Sequence, residues 1–153
     1  MKRFYYCSHE NLEPDNVIHP GNWGKIILNT GPKHVCWTRE IMLEAIRSKY
    51  FPKKPSRLFA TFCCDSLDTI KCYQKKNSPE SSIYEVKFFD SSMQIHEGDF
   101  NAVEELPGVP FDLIQISLKY WRYELKTSVD SWPGIICKEI VSESSLIILN
   151  KVL

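Results

Sequence analysis

The chain has 153 residues, 43% of them hydrophobic and 25% charged, with 19 basic residues against 19 acidic ones and a formal net charge of zero. That length fits one domain over residues 1–153 with a sizeable buried core, and the balanced charge argues against a general electrostatic hold on nucleic acid. No apolar run reaches membrane-spanning length, so no membrane partner is expected. Met1-Lys2-Arg3 passes straight into Phe4-Tyr5-Tyr6 without the apolar core of an export signal, which makes the cytoplasm the expected compartment. Cys7, Cys36, Cys63, Cys64, Cys72 and Cys137 are therefore expected as free thiols. With no CxxC pair among them, no metal is expected.

Phe4-Tyr5-Tyr6-Cys7 reads as a short aromatic strand. Leu12 to Asn16 is turn chemistry, Val17-Ile18 a short extended piece, and Pro20-Gly21-Asn22-Trp23-Gly24 a glycine-bracketed loop carrying a tryptophan. Lys25-Ile26-Ile27-Leu28 reads as another extended stretch. Thr38 is placed to cap a helix over Arg39 to Tyr50, with Ile41, Met42, Ala45 and Ile46 at helical spacing. Pro52 to Arg57 breaks it, and Leu58 to Cys63 reads as a strand. Asp65 or Ser66 caps a second helix from Leu67 to Tyr73, and Gln74 to Ser82 reads as an exposed loop.

Ile83 to Phe89 alternates as a strand, Met93 to Asp99 reads as strand or loop, and Asn101 to Glu105 as a short helical piece. Phe111 to Thr127 spaces Ile114, Leu118, Trp121 and Leu125 as a helix, which makes Tyr120-Trp121 core. Ile135 to Val141 and Leu146 to Leu149 are strands joined by a polar turn. Helices interspersed among short strands, without regular βαβ alternation, indicate an α+β fold.

Glu139 is the unusual residue of the penultimate strand. Period-2 alternation sets it on one face with Cys137 and Val141, opposite Ile136, Lys138 and Ile140. A strand Glu facing a cleft serves as base, ligand or cation stabiliser, whereas one facing solvent has no special role. Other candidates are ambiguous singly. Trp23 suits stacking on a flat ligand or plugging the core. Arg57 suits bidentate anion binding or a surface ion pair. His96-Glu97-Gly98-Asp99 reads as a solvated turn, with no second His at ligand spacing. The GxGxxG, Walker and GxSxG signatures are absent. A thiol-redox reading rests on the cysteine count alone.

The order of these pieces resembles the ADP-ribosyltransferase superfamily. The matching pieces are the strand Phe4-Tyr5-Tyr6-Cys7-Ser8, a helix, Leu58 to Cys64 running into Asp65-Ser66-Leu67, the strand Ile83-Tyr84-Glu85-Val86, a helix with Tyr120-Trp121, and the closing pair at Glu139 to Ser142 and Leu146 to Leu149. A nearer similarity is to small bacterial proteins with a Pro-Gly-Asn-Trp-Gly loop, as at Pro20 to Gly24, and Phe-Pro-x-Lys-Pro-Ser-Arg, as at Phe51 to Arg57. The resemblance implies an ADP-ribosyltransferase-like fold of split antiparallel sheets with flanking helices, and an enzyme that moves ADP-ribose from its substrate NAD to a macromolecular acceptor, RNA, DNA or protein.

By motif position Glu139 is the catalytic carboxylate, set against an oxocarbenium-like transition state. The first strand, where the family offers His or Arg, gives Tyr6, flanked by Cys7 and Ser8, to hold the NAD ribose. Phe59, Thr61 and Phe62 are the second-strand candidates, Arg57 suits the diphosphate or the nicotinamide side, and Trp23 suits a loop over the cofactor. The resemblance further implies a toxin or effector in conflict between bacteria and phage, with an antitoxin or chaperone as partner. A groove of Lys53, Lys54 and Arg57 is the expected contact for a nucleic-acid acceptor. The rival reading is an ADP-ribosyltransferase-like binding module without activity, which the departure at Tyr6 favours.

Overall fold

The computed structural model describes residues 2–100, 110–124 and 137–153. The expected helical piece at Asn101 to Glu105, and the strand start at Ile135-Ile136, lie outside them. Among the described residues the fold is α+β, with two antiparallel sheets and four α-helices. The first sheet has the order β1-β4-β7-β2, formed by Phe4–Ser8 (β1), Ser82–Phe88 (β4), Leu146–Lys151 (β7) and Val17–Ile18 (β2). The second has the order β3-β6-β5, formed by Thr61–Cys63 (β3), Lys138–Ser142 (β6) and Ile95–Asp99 (β5). Just past the end of β3, Cys64 exchanges backbone hydrogen bonds of 2.8 and 2.9 Å with Tyr5 of β1, which links the two sheets. Cys63 and Ile140 of the second sheet pack against Tyr84, Val86, Leu146 and Ile148 of the first. Each fully buried aliphatic side chain contributes about 1.5–3 kcal/mol.

The helices are α1 (Asn22–Thr30), α2 (Trp37–Tyr50), α3 (Leu67–Asn77) and α4 (Pro110–Trp121). In α2 Leu43 and Ile46 are buried, and they share a core with Phe100, Tyr120 and Trp121. The Trp121 indole Nε1–H donates to the Leu43 carbonyl of α2 at 2.8 Å, which fixes α4 to it. Glu40 in the first turn of α2, and Arg47 and Lys49 in its last, complement the helix dipole. No side chain caps α2, whose N-cap residue is Cys36 rather than the expected Thr38. Ser66 caps α3, its Oγ accepting from the Thr69 N–H at 3.1 Å, and α3 runs on to Asn77 through the first half of the expected loop.

Two expectations are corrected here. Lys25 to Leu28 is helix rather than extended chain, because the buried positions of α1, Gly24 and Ile27, are three residues apart. Gly24 allows this: a Cβ there would lie 1.7 Å from the Leu58 carbonyl oxygen. Substituting Ala in G24A therefore drives α1 off the Leu58 backbone, and a loss of about 3 kcal/mol is expected in urea unfolding; an unchanged midpoint would contradict this packing. The strand expected from Leu58 begins only at Thr61, since Arg57–Phe59 forms a 3-10 turn in which the Ser56 hydroxyl accepts from the Leu58 N–H.

Candidate active site

Glu139 lies at the centre of the second sheet, with β3 on one side of its strand and β5 on the other. It is 4% exposed. Its Oε1 accepts from the Tyr120 hydroxyl at 2.6 Å and from the Arg57 guanidinium. Among the described residues Oε2 accepts no hydrogen bond. Glu139 lines two adjoining chambers, of about 220 and 480 Å3. Trp23, Phe62 and Tyr73 line both.

Arg57 holds this arrangement together. Its Nε and one terminal nitrogen donate to the two oxygens of Glu40, at 2.9 and 3.0 Å. The other terminal nitrogen donates to the Tyr120 hydroxyl at 2.8 Å and to Glu139. The guanidinium lies between the Phe62 and Tyr120 rings, 4.9 and 5.2 Å from their centroids. Burial works against its charge, but Glu139 and Glu40 hold its pKa well above the ordinary value. Burial would likewise raise Glu40; Arg57, and after it Arg39, bring that carboxyl down from 4.5 to about 2. Tyr120 stays a neutral hydroxyl, its pKa driven up chiefly by burial.

The sequence places these groups by simple devices. Glu40, Glu44 and Arg47 follow one face of α2. Glu44 accepts from Ser56 Oγ at 2.8 Å, Arg47 donates to the Lys54 carbonyl at 2.9 Å, and Glu40 takes Arg57. The Pro-Ser-Arg segment is thus clamped along the helix. On β5, Gly98 stands opposite Glu139. A Cβ at Gly98 would lie 2.2 Å from the Tyr120 ring, so only glycine leaves room for that ring to reach the carboxylate. G98A is expected to lose about 1–3 kcal/mol of stability as Tyr120 is pushed off Glu139. Chemical denaturation checks this, and a variant as stable as its parent refutes the packing.

Tyr6, Cys7, Trp23, Thr61 and Phe62 all converge with Glu139 on the smaller chamber. The larger is lined by Arg57, Arg39, Cys36 and Asn77 among others. Burial raises the Tyr6 phenol and the Cys7, Cys63 and Cys64 thiols, so none is an activated nucleophile. All six cysteines are free. Thr61 spends its hydroxyl on the Ser142 and Ser144 carbonyls, at 3.2 and 2.9 Å.

Several expected placements change. Phe59 is 56% exposed and outside both chambers, because the 3-10 turn aims it outward. Ser8 also lies outside, its hydroxyl accepting from the Glu10 N–H at 3.1 Å. Arg57 is not offered to a diphosphate, since Glu40, Tyr120 and Glu139 occupy its donors. Trp23 stands on α1 rather than in a loop.

The expected basic groove does not form. Arg57 is buried, and Lys54 donates inward to the Trp121 carbonyl and to His96 Nδ1 at 3.1 Å. His96 to Asp99 is strand rather than solvated turn, with His96 2% and Asp99 0% exposed. The His96 ring packs on Tyr120 and Trp121. Burial, reinforced by Lys54, lowers its pKa to about 3. The imidazole is neutral, with Nδ1 accepting from Lys54 and Nε2–H donating to the Tyr120 carbonyl at 3.1 Å.

Glu40, Arg39, Tyr73 and Tyr120 were not singled out as site residues by the sequence. The acidic residues at i, i+4 beside an apolar helix face are the one local signal for Glu40. Among the described residues no group of three or more His, Cys, Asp or Glu is placed to hold a metal ion, and no helix is long and apolar enough to cross a membrane. A family model described as "Protein of unknown function (DUF2441)" matches residues 6–140, a span that opens at Tyr6 and closes one residue past Glu139. No curated protein matches the chain.

Proposed function

The chain belongs to the DUF2441 family of proteins of unknown function, and we propose that it is an NAD-dependent mono-ADP-ribosyltransferase with Glu139 as its catalytic carboxylate. One observation carries this reading: a buried Glu139 stands where two chambers meet, with Oε1 pinned by Arg57 and Tyr120 and Oε2 accepting no hydrogen bond from the described residues. Two antiparallel sheets facing one another and joined at Tyr5 and Cys64 accord with the split-sheet arrangement of that superfamily. The combined space suits a ligand of dinucleotide size, and Trp23, Phe62 and Tyr73 supply aromatic walls.

In the reaction the bond from ribose C1′ to the nicotinamide nitrogen breaks, and its electron pair leaves with nicotinamide. The acceptor nucleophile bonds to C1′ and loses a proton. Oε2 of Glu139 accepts a hydrogen bond from a ribose hydroxyl or takes that proton. Tyr6, a neutral phenol at the chamber wall, orients a ribose hydroxyl in place of the family's His or Arg. Incubation with labelled NAD and cell extract tests the proposal. Nicotinamide release with transfer of label is expected; neither, across a range of acceptors and conditions, excludes the enzyme. The Arg57–Glu139 ion pair favours a second reading, a binding module without turnover, because a carboxylate already matched by a guanidinium offers less negative field to a developing cation. That reading requires NAD to raise the melting temperature without being consumed.

A further inference from the structure

Building on the NAD-dependent reading above, we propose that Arg39 is the anion-binding cation of the cleft and takes the pyrophosphate of the dinucleotide in the larger chamber, leaving Arg57 to serve Glu139. Both of Arg39's hydrogen bonds, from Nε at 3.2 Å and Nη2 at 3.0 Å, fall on the same Oε1 of Glu40. That oxygen also accepts from Arg57 at 3.0 Å, and Oε2 accepts from Arg57 at 2.9 Å. Glu40 therefore keeps a complete two-pronged partner without Arg39. Among the described residues the Nη1 hydrogens and one Nη2 hydrogen of Arg39 meet no acceptor, and its side chain is 14% exposed.

The surroundings of Arg39 favour an anion. It stands in the first turn of α2, at the positive end of the helix dipole, where a cation is disfavoured unless a negative group joins it. Cys36, the N-cap residue, gives no side-chain cap and lines the same chamber. The Trp23 indole also lines it. That indole lies close enough to Glu40 to help hold the carboxylate ionised, yet its buried Nε1–H meets no acceptor in hydrogen-bonding geometry. Glu139 is the one carboxylate among the described lining residues, and Arg57 already faces it. The planar fork of Arg39 suits two phosphate oxygens at once.

Calorimetric titration of the full chain with inorganic pyrophosphate, ADP-ribose and nicotinamide tests this. The parent is expected to bind pyrophosphate and ADP-ribose. Arg39→Gln is expected to bind both about tenfold more weakly, with nicotinamide affinity unchanged and the protein still folded, its melting temperature lowered only by the lost ion pair to Glu40. Should that variant melt early, Arg39→Lys replaces it, keeping the charge without the fork, and a loss of about threefold is expected. Parent-like affinity in the folded variant, or no binding of either phosphate ligand by the parent, overturns the assignment. Arg39-dependent pyrophosphate binding in a protein that leaves NAD intact supports Arg39 while removing the transferase reading. NAD turnover with an unchanged KM in Arg39→Gln does the reverse.

Discussion

On the transferase reading proposed above, Glu139→Gln is expected to lower ADP-ribose transfer by about 10²–10³-fold while the protein stays folded. The substitution is nearly isosteric, and the amide carbonyl still accepts from Tyr120 and Arg57 at the position of Oε1. Arg57 keeps its two bonds to Glu40, so no charge is stranded. What changes is the second atom, now a donor that neither takes a proton nor accepts from a ribose hydroxyl. Nicotinamide release and thermal melting, measured together, separate the two roles. A folded variant with parental turnover removes Glu139 from the chemistry; a variant that fails to fold shows the carboxylate is structural first.

Arg57→Met is expected to have the largest effect on stability, a loss of about 3–5 kcal/mol. Methionine fills the space between the Phe62 and Tyr120 rings, but leaves Glu40 and Glu139, 0% and 4% exposed, without their shared cation. In the parent, Glu40 titrates at about 2 against an ordinary 4.5. Its folded pKa is depressed, so as pH falls the unfolded chain takes up the proton first. The stabilisation is complete above pH 4.5 and disappears as pH drops toward 2, about 3 kcal/mol over the window. Without Arg57, burial raises the Glu40 pKa relative to the parent, and this dependence shrinks or reverses. Urea unfolding at pH 7, 5 and 3 reads both effects. A variant with parental stability and a parental acid limb would show that the buried network contributes nothing.

Much of the framework was legible locally. The helical spacing of Ile41, Met42, Ala45 and Ile46 marks α2, although its buried aliphatic residues are Leu43 and Ile46; Ser66 marks the start of α3, and the polar turn after Ser142 separates β6 from β7. Alternation correctly set Glu139 apart from its neighbours Lys138 and Ile140. It did not show that Glu139, Ile140, Val141 and Ser142 are all buried, because that depends on the first sheet packing on Ile140 and on Tyr120 and Arg57 closing over Glu139. The extended reading of Lys25 to Leu28 failed because a run of aliphatic residues fits either period, and contact with Leu58 decided it.

The role of Arg57 was not legible at all. Its partners, Glu40, Tyr120 and Glu139, lie 17, 63 and 82 residues away in the chain. Read locally, a cation before a strand suggests a bound anion or a surface ion pair; three-dimensional contact supplies buried internal partners. His96 and Asp99 misled for the same reason: nothing near them in sequence announces the Tyr120 and Trp121 rings that bury the imidazole.

The strand order also sets a timetable for the nascent chain. β2 emerges early, but its partner is β7, with Val17 facing Ile147 and Ile18 facing Leu146. β6, which bears Glu139, emerges just before β7. During synthesis the aromatic wall from Tyr6 to Tyr73 thus precedes the carboxylate it surrounds. A ribosome-bound chain that has not yet released β6 holds the residues of the aromatic wall without Glu139, and β2 waits for β7 before the first sheet can close.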